Sequence, residues 1–226
     1  MHVDWYGHAT FRLTGEGRSV VIDPFGDMSE LTSSRGLRFD YPPVPAGTAD
    51  LVLITHEHRD HNEHSMIGGS PVILRSTAGK LESPLGEVVA IASEHDDAAG
   101  TLRGPNTIFV FTLDGLRVAH FGDFGQRELR DEQAAAIGPI DVLFLPVGGG
   151  MTIGAEQATA IIDRLAPAFV VPMHYRTEYV NFLEPPDAFL ERIGGARHLD
   201  ENSFELDAGE RPTEPFALVP SVPRVN

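Results

Sequence analysis

Short apolar runs alternate with helical periods along this chain, and the alternation predicts a layered α/β architecture. Residues 3–13 read as a strand pair or bent strand, with Trp5, Phe11 and Leu13 apolar and Gly7-His8-Ala9-Thr10 breaking the pattern. After the turn Gly15-Glu16-Gly17, residues 19–22 form the next strand and stop at Asp23-Pro24. Residues 26–48 show no sustained period and read as a long loop or flap beside whatever Asp23 faces. The continuous run Leu51-Val52-Leu53-Ile54 is a strand of the buried kind. Residues 62–67 read as the start of a short helix stopped by Gly68-Gly69.

Further on, 71–74 and 87–91 read as strands with a short helix around 77–81 between them. Residues 107–113 and 116–121 flank Asp114-Gly115, a two-residue hairpin signal. Helix-like residues 127–137 end at Gly138-Pro139. A buried strand over 141–145 precedes the strongest helix, 155–165, where Ala158, Ile161, Ile162 and Leu165 make one apolar face. Residues 169–171 are a strand, and 187–193 a helix introduced by Pro185-Pro186 and closed by Gly194-Gly195. Beyond it, 204–206 reads as an edge strand and the rest as a Pro-containing tail. No repeat or linker divides the chain, so residues 1–226 are expected to form a single domain.

Several of these strands run into a side chain that can hold a metal: Asp23, His56, His95, Asp123 and His174. The densest stretch is Thr55-His56-Glu57-His58-Arg59-Asp60-His61-Asn62, which places three imidazoles and a carboxylate within six residues. An extended backbone aims His56 and His58 to one side, because side chains alternate with period two. Asp60 and His61 are adjacent and point apart unless the chain turns, which suits two neighbouring metals better than one. Imidazole and carboxylate are donors for a borderline-soft divalent ion, and the chain has no cysteine to compete. A helical His-Glu-x-x-His site is excluded, since Asp60 stands where the second His belongs.

Composition narrows the partners. With 17 basic and 33 acidic residues the formal charge is −16, the only lysine is Lys80, and no Lys/Arg cluster opposes the balance. Such a field repels polyanions, so a small-molecule substrate is expected and nucleic acid is not. No apolar run nears the roughly 20 residues needed to span a bilayer. The N-terminus shows no basic region followed by an apolar stretch. The expectation is therefore a cytoplasmic protein without membrane association, its oligomeric state open, a homo-oligomer included.

The order Asp23, His56-x-His58-x-Asp60-His61, His95, Asp123 and His174 resembles the five-motif metal site of the metallo-β-lactamase-fold hydrolases. Gly7-His8-Ala9-Thr10, His120-Phe121-Gly122-Asp123, Gly149-Gly150-Met151-Thr152 and Pro172-Met173-His174-Tyr175 are similar to one branch of that family. That branch contains ascorbate-6-phosphate lactonase-like and uncharacterised zinc-dependent hydrolases. The resemblance implies a four-layered αβ/βα sandwich of class α/β. It also implies His56, His58 and His95 on one metal, with Asp60, His61 and His174 on a second and Asp123 bridging them. Asp23 would orient the ligands from behind, while His8, His120 and Tyr175 would line the pocket or support it; His64 is expected at the surface. Asp60 would also act in catalysis by orienting a hydroxide or returning a proton to the leaving group. The family motif usually has Gly-Asp-Thr where this chain has Gly122-Asp123-Phe124, which removes one hydroxyl.

The cofactors implied are two divalent ions, zinc first, with manganese or iron as alternatives. The activity implied is hydrolysis of a small ester, lactone or phosphoester by a hydroxide that the dinuclear metal site activates. Two alternatives stand beside it: a phosphodiesterase or nuclease of the same fold, and a non-catalytic metal-binding protein.

Overall fold

The computed structural model describes residues 1–224, and two β-sheets packed face to face dominate it. The first has six strands in the spatial order Ser203–Glu205, His2–Gly7, Thr10–Gly15, Arg18–Ile22, Leu51–Ile54, Val72–Arg75. The second has eight, in the order Ala196–His198, Phe216–Val219, Phe169–Met173, Val142–Pro146, Leu116–His120, Pro105–Leu113, Gly86–Glu94, Gly79–Ser83. Between them lies the main core, where Trp5, Phe11, Leu13, Phe109, Phe111 and Phe144 are fully buried.

Alternation along each strand decides which face it serves. Val20, Ile22, Leu51 and Leu53 point into this core, while Val21, Val52 and Ile54 join Ile67 on the outer face of the six-stranded sheet. Burial on both faces explains why Leu51–Ile54 is an unbroken apolar run. The other outer layer is helical: Asp131–Ile137 and Asp187–Ile193 pack on the eight-stranded sheet, and Ala155–Leu165 packs on Asp187–Ile193. The fold is thus the expected α/β sandwich, with helices few and short. Among the described residues no helix is long and apolar enough to cross a membrane.

The structure corrects several local expectations. In place of the helix expected around 77–81 there is a strand, Gly79–Ser83, paired antiparallel with Gly86–Glu94; pairing overrides local propensity there. The helix expected over 127–137 begins only at Asp131, and 62–67 holds a single 3₁₀ turn, His64–Met66. The flap 26–48 contains a short helix, Ser29–Ser33. The supposed tail carries Phe216–Val219, which lies inside the eight-stranded sheet beside Phe169–Met173.

Candidate metal centre

Six strands deliver this site at their carboxyl ends. Thr10–Gly15 is antiparallel to both His2–Gly7 and Arg18–Ile22, and Leu51–Ile54 is parallel to the latter. Those three strands therefore run the same way and lead into His8, Asp23 and His56. Gly86–Glu94 and Leu116–His120 are both antiparallel to Pro105–Leu113, and Phe169–Met173 follows in parallel through Val142–Pro146. They lead into His95, Asp123 and His174. Convergence of strand ends is what turns residues far apart in sequence into one site.

Tight turns at those ends aim the side chains. His8, Asp23 and His174 each take a left-handed φ, 53°, 48° and 52°, a region that Asp and His enter more readily than most residues. Before Asp123, Gly122 has φ 55°, and a Cβ there would meet Asn106 Oδ1 at 2.5 Å and Thr55 Cβ at 2.6 Å.

Hydrogen bonds then fix which ring nitrogen is free. The buried Asp23 carboxylate accepts from the Thr55 N–H at 2.8 Å, the Thr55 hydroxyl at 2.7 Å and His61 Nδ1 at 3.0 Å. That leaves His61 Nε2 facing the site. Thr55 Oγ1 lies 3.0 Å from His56 Nδ1, so His56 likewise presents Nε2. Asn106 holds the next segment: its amide donates to Ser93 Oγ and Phe121 O, both at 2.8 Å, and its Oδ1 accepts the Asp123 N–H at 3.0 Å.

Three groups of donors result; one, Asp23 with His56 and His61, is already tied together by the hydrogen bonds through Thr55 and His61 Nδ1, and two remain open. His56, His58 and His95 offer ligand atoms within 4.8 Å of one another, and so do His8, His61, Asp123 and His174. Asp123 Oδ2 joins them, at 3.1 Å from both His95 Nε2 and His174 Nε2 and 3.3 Å from His61 Nε2. Asp60 stands beside the second group, its Oδ2 3.3 Å from His8 Nε2 and 3.9 Å from His61 Nε2. His8 is thus brought among the donors themselves, in a position expected for a wall residue.

The donor set fits divalent ions. Both ring nitrogens of His8, His61 Nε2, Asp123 Oδ1 and the Nδ1 atoms of His95 and His174 are buried without a hydrogen-bond partner. Orphaned polar atoms in such number are costly unless something else satisfies them. Their charge states agree. Burial holds His56 well below the ordinary imidazole value and His8 down to about 4, with neighbouring rings adding to the effect, so both are neutral. His58 is lowered by burial and by His95. Burial works to raise Asp60 and Asp123, but nearby imidazoles outweigh it and keep both carboxylates ionised. Burial also opposes charge on His61, yet Asp123, Asp60 and Asp23 lift it well above its usual value. Those three carboxylates favour the protonated ring of His61, and a cation held there would have to displace that proton.

The remaining expected residues lie outside the donor groups. His120 is buried and satisfied, Nε2 bonding Ala9 O at 3.0 Å and Nδ1 accepting the Gly122 N–H at 3.2 Å; it is a wall residue. Tyr175 is buried against Trp5, with ring centroids 5.6 Å apart. His64 is half-buried rather than exposed, 3.3 Å from Arg75 Nη1. Phe124 turns into the main core and packs on Phe121, so the missing hydroxyl of the Gly-Asp-Thr pattern lies at a core position. Thr55 and Asn106 were not anticipated. The signal for Asn106 was a polar residue of poor strand propensity inside a buried strand.

Comparison with known proteins points the same way. The family model for the β-lactamase superfamily domain matches residues 2–174. A UPF0173 metal-dependent hydrolase of Thermococcus onnurineus is 30% identical over 223 residues, covering 85% of this chain and 92% of the relative. A crystal structure from Thermotoga maritima, described as that of a Zn-dependent hydrolase of the metallo-β-lactamase superfamily, is 32% identical. It covers 96% of this chain and 97% of its own, with a TM-score of 0.76. The isothiocyanate hydrolase from Delia radicum gut bacteria shares the fold at 18% identity, with a TM-score of 0.67 and 99% and 98% coverage.

Proposed function

Because this chain belongs to the β-lactamase superfamily and is a metal-dependent hydrolase of that fold, we propose that it holds two divalent ions and hydrolyses a small ester, lactone or phosphoester. One observation carries the dinuclear reading: Asp123 Oδ2 stands 3.1 Å from an imidazole of each open donor group, His95 and His174. His56, His58 and His95 would hold one ion. His61 and His174 would hold the other, with His8 and Asp60 beside them and Asp123 between the two. Zinc suits this set of imidazoles and carboxylates, which would also accept manganese or iron. When bound, such a pair polarises a carbonyl or phosphoryl group and lowers the pKa of water to about 7.

The chain's own residues do the rest. Asp23 fixes the His61 ring through Nδ1, and Thr55 fixes His56. Asp60, which the imidazoles of His61 and His8 hold ionised, would orient the attacking hydroxide by accepting its hydrogen bond, a task that suits so acidic a carboxyl better than proton transfer. With hydroxide supplied at the site, no Ser or Lys nucleophile is required. The charge of −16 favours a small substrate over a nucleic acid, and a chain without cysteine suits a reducing compartment such as the cytoplasm.

Elemental analysis after zinc loading, followed by assays on lactone, aryl ester and phosphodiester panels, tests this reading. About two ions per chain and turnover of an ester or lactone are expected. Turnover of phosphodiesters alone would move the assignment to a phosphodiesterase. Two bound ions without turnover on any panel would leave a metal-binding protein.

A further inference from the structure

Two cavities reach the candidate metal centre and meet at Met151. The larger, about 570 Å³, is polar and includes His95, Arg103, Gln126 and Thr152. The smaller, about 370 Å³, is lined by His58 and Asp60 themselves, and its size falls within the range of small-molecule sites. Its walls are Met28, Leu31, Leu37, Met151 and Phe182, none of them fully buried. Four of the five come from elements that cross above the site: the segment around the helix Ser29–Ser33, and the Gly149-Gly150-Met151 turn.

Among the described residues, the smaller cavity also holds two arginines without a carboxylate partner, where the larger has one such, Arg103. Arg18, Arg75, Arg127, Arg130, Arg164 and Arg211 each hold a carboxylate in an ion pair. Arg35 and Arg59, which line the cavity, hold none within 4.0 Å among the described residues. Glu57 lines it too, but its carboxylate is engaged by Arg75. In a chain of charge −16, two unengaged guanidiniums beside an apolar wall are a place for an anion attached to an apolar body.

We propose that this cavity binds the substrate's apolar part, an acyl chain or aryl group that also carries an anionic group, with Arg35 and Arg59 holding the anion. The apolar body lies against Leu31, Leu37, Met151 and Phe182, and the bond to be cleaved lies at the His58 and Asp60 end. The inference deepens the hydrolytic reading and rests on it for the bond cleaved. Its binding half stands separately.

Octane-1-sulfonate, a weak metal ligand, is the probe for calorimetry on the zinc-loaded protein. It should bind about tenfold tighter than ethanesulfonate, which lacks the chain, and than octanol, which lacks the charge. Leu31→Glu and Arg35→Glu, both at partly or fully exposed positions, should each weaken it about tenfold, with circular dichroism confirming that each variant is folded. Equal affinity for the three probes, no binding, or binding that neither variant alters would overturn the proposal. Cleavage of aryl acetates with no binding of octanesulfonate would overturn the cavity assignment and leave hydrolysis standing. Binding as expected without cleavage of any ester would do the reverse.

Discussion

His8 Nε2 lies 3.3 Å from Asp60 Oδ2, and both side chains border His61. The ring of His8 is fully buried and neither nitrogen has a hydrogen-bond partner, which leaves both free for the ion proposed beside Asp60. His8→Ala should lower zinc affinity or turnover by about 10–100-fold, as loss of a ligand's supporting partner does. Chelator competition measures the first and kcat/KM the second. Unchanged values in both would remove His8 from the site.

Asp60→Ala should abolish hydrolysis while leaving the fold intact. The carboxylate sits in a loop beyond an apolar strand and contributes nothing to either hydrophobic face. Melting curves with zinc, set beside turnover on the best ester found, are the measurement. A variant as active as the parent would contradict the role given to Asp60. A lower melting temperature in the presence of zinc is compatible with it, because bound metal stabilises the native state by mass action.

Metal binding should release protons. His61 is held above its ordinary value by Asp123, Asp60 and Asp23, and so is protonated at neutral pH, whereas His56 and His8 are already neutral. A cation must displace the His61 proton, so apparent zinc affinity rises with pH until His61 has titrated and flattens above that point. Calorimetry in two buffers of different ionisation enthalpy should find about one proton released per chain at pH 7. Zero release would mean that His61 does not enter the coordination.

Gly148→Ala should damage the fold and the site together. A Cβ there would run into the His174 carbonyl and meet the Tyr175 Cα at 2.7 Å; these are backbone atoms that cannot step aside. The expected cost is about 1–3 kcal/mol, the usual range for overpacking, read from denaturant midpoints. A shifted His174 should also reduce zinc affinity. Wild-type stability with wild-type affinity would show that the 148–149 turn relaxes freely.

Much of this was legible because ligands sit at the ends of apolar strands. Leu51–Ile54 and the helix Ala155–Leu165 declare themselves by run and period, and the His56-to-His61 stretch declares its chemistry by residue type. What the sequence does not carry is pairing. Gly79–Ser83 is a strand because a neighbour supplies hydrogen bonds, and it lacks the alternation that would mark it alone; Phe216–Val219 carries the same unbroken apolar signal as Leu51–Ile54, and only its pairing shows that it is no tail. The place of His8 is also a pairing effect. Only the parallel run of His2–Gly7 with Arg18–Ile22 brings residue 8 beside residues 61 and 174. Asn106 was hidden for the opposite reason, since its hydrogen bonds reach residues 93, 121 and 123 from a strand that otherwise reads as core.

Of the six strands that deliver the site, three are followed at once by a non-glycine residue with a left-handed backbone: His8, Asp23 and His174. Each such residue costs on the order of 1 kcal/mol relative to glycine, which enters the region freely. Glycine at those positions would relax the turns, yet it would delete two imidazoles and the carboxylate that steers His61. All three side chains are buried, and the Asp23 carboxylate accepts three hydrogen bonds, so glycine would also open voids and orphan Thr55 and His61. The same side chains that strain the turns fill the junction between the two sheets, so the centre cannot be erased by relaxing its backbone without loosening the sandwich that carries it.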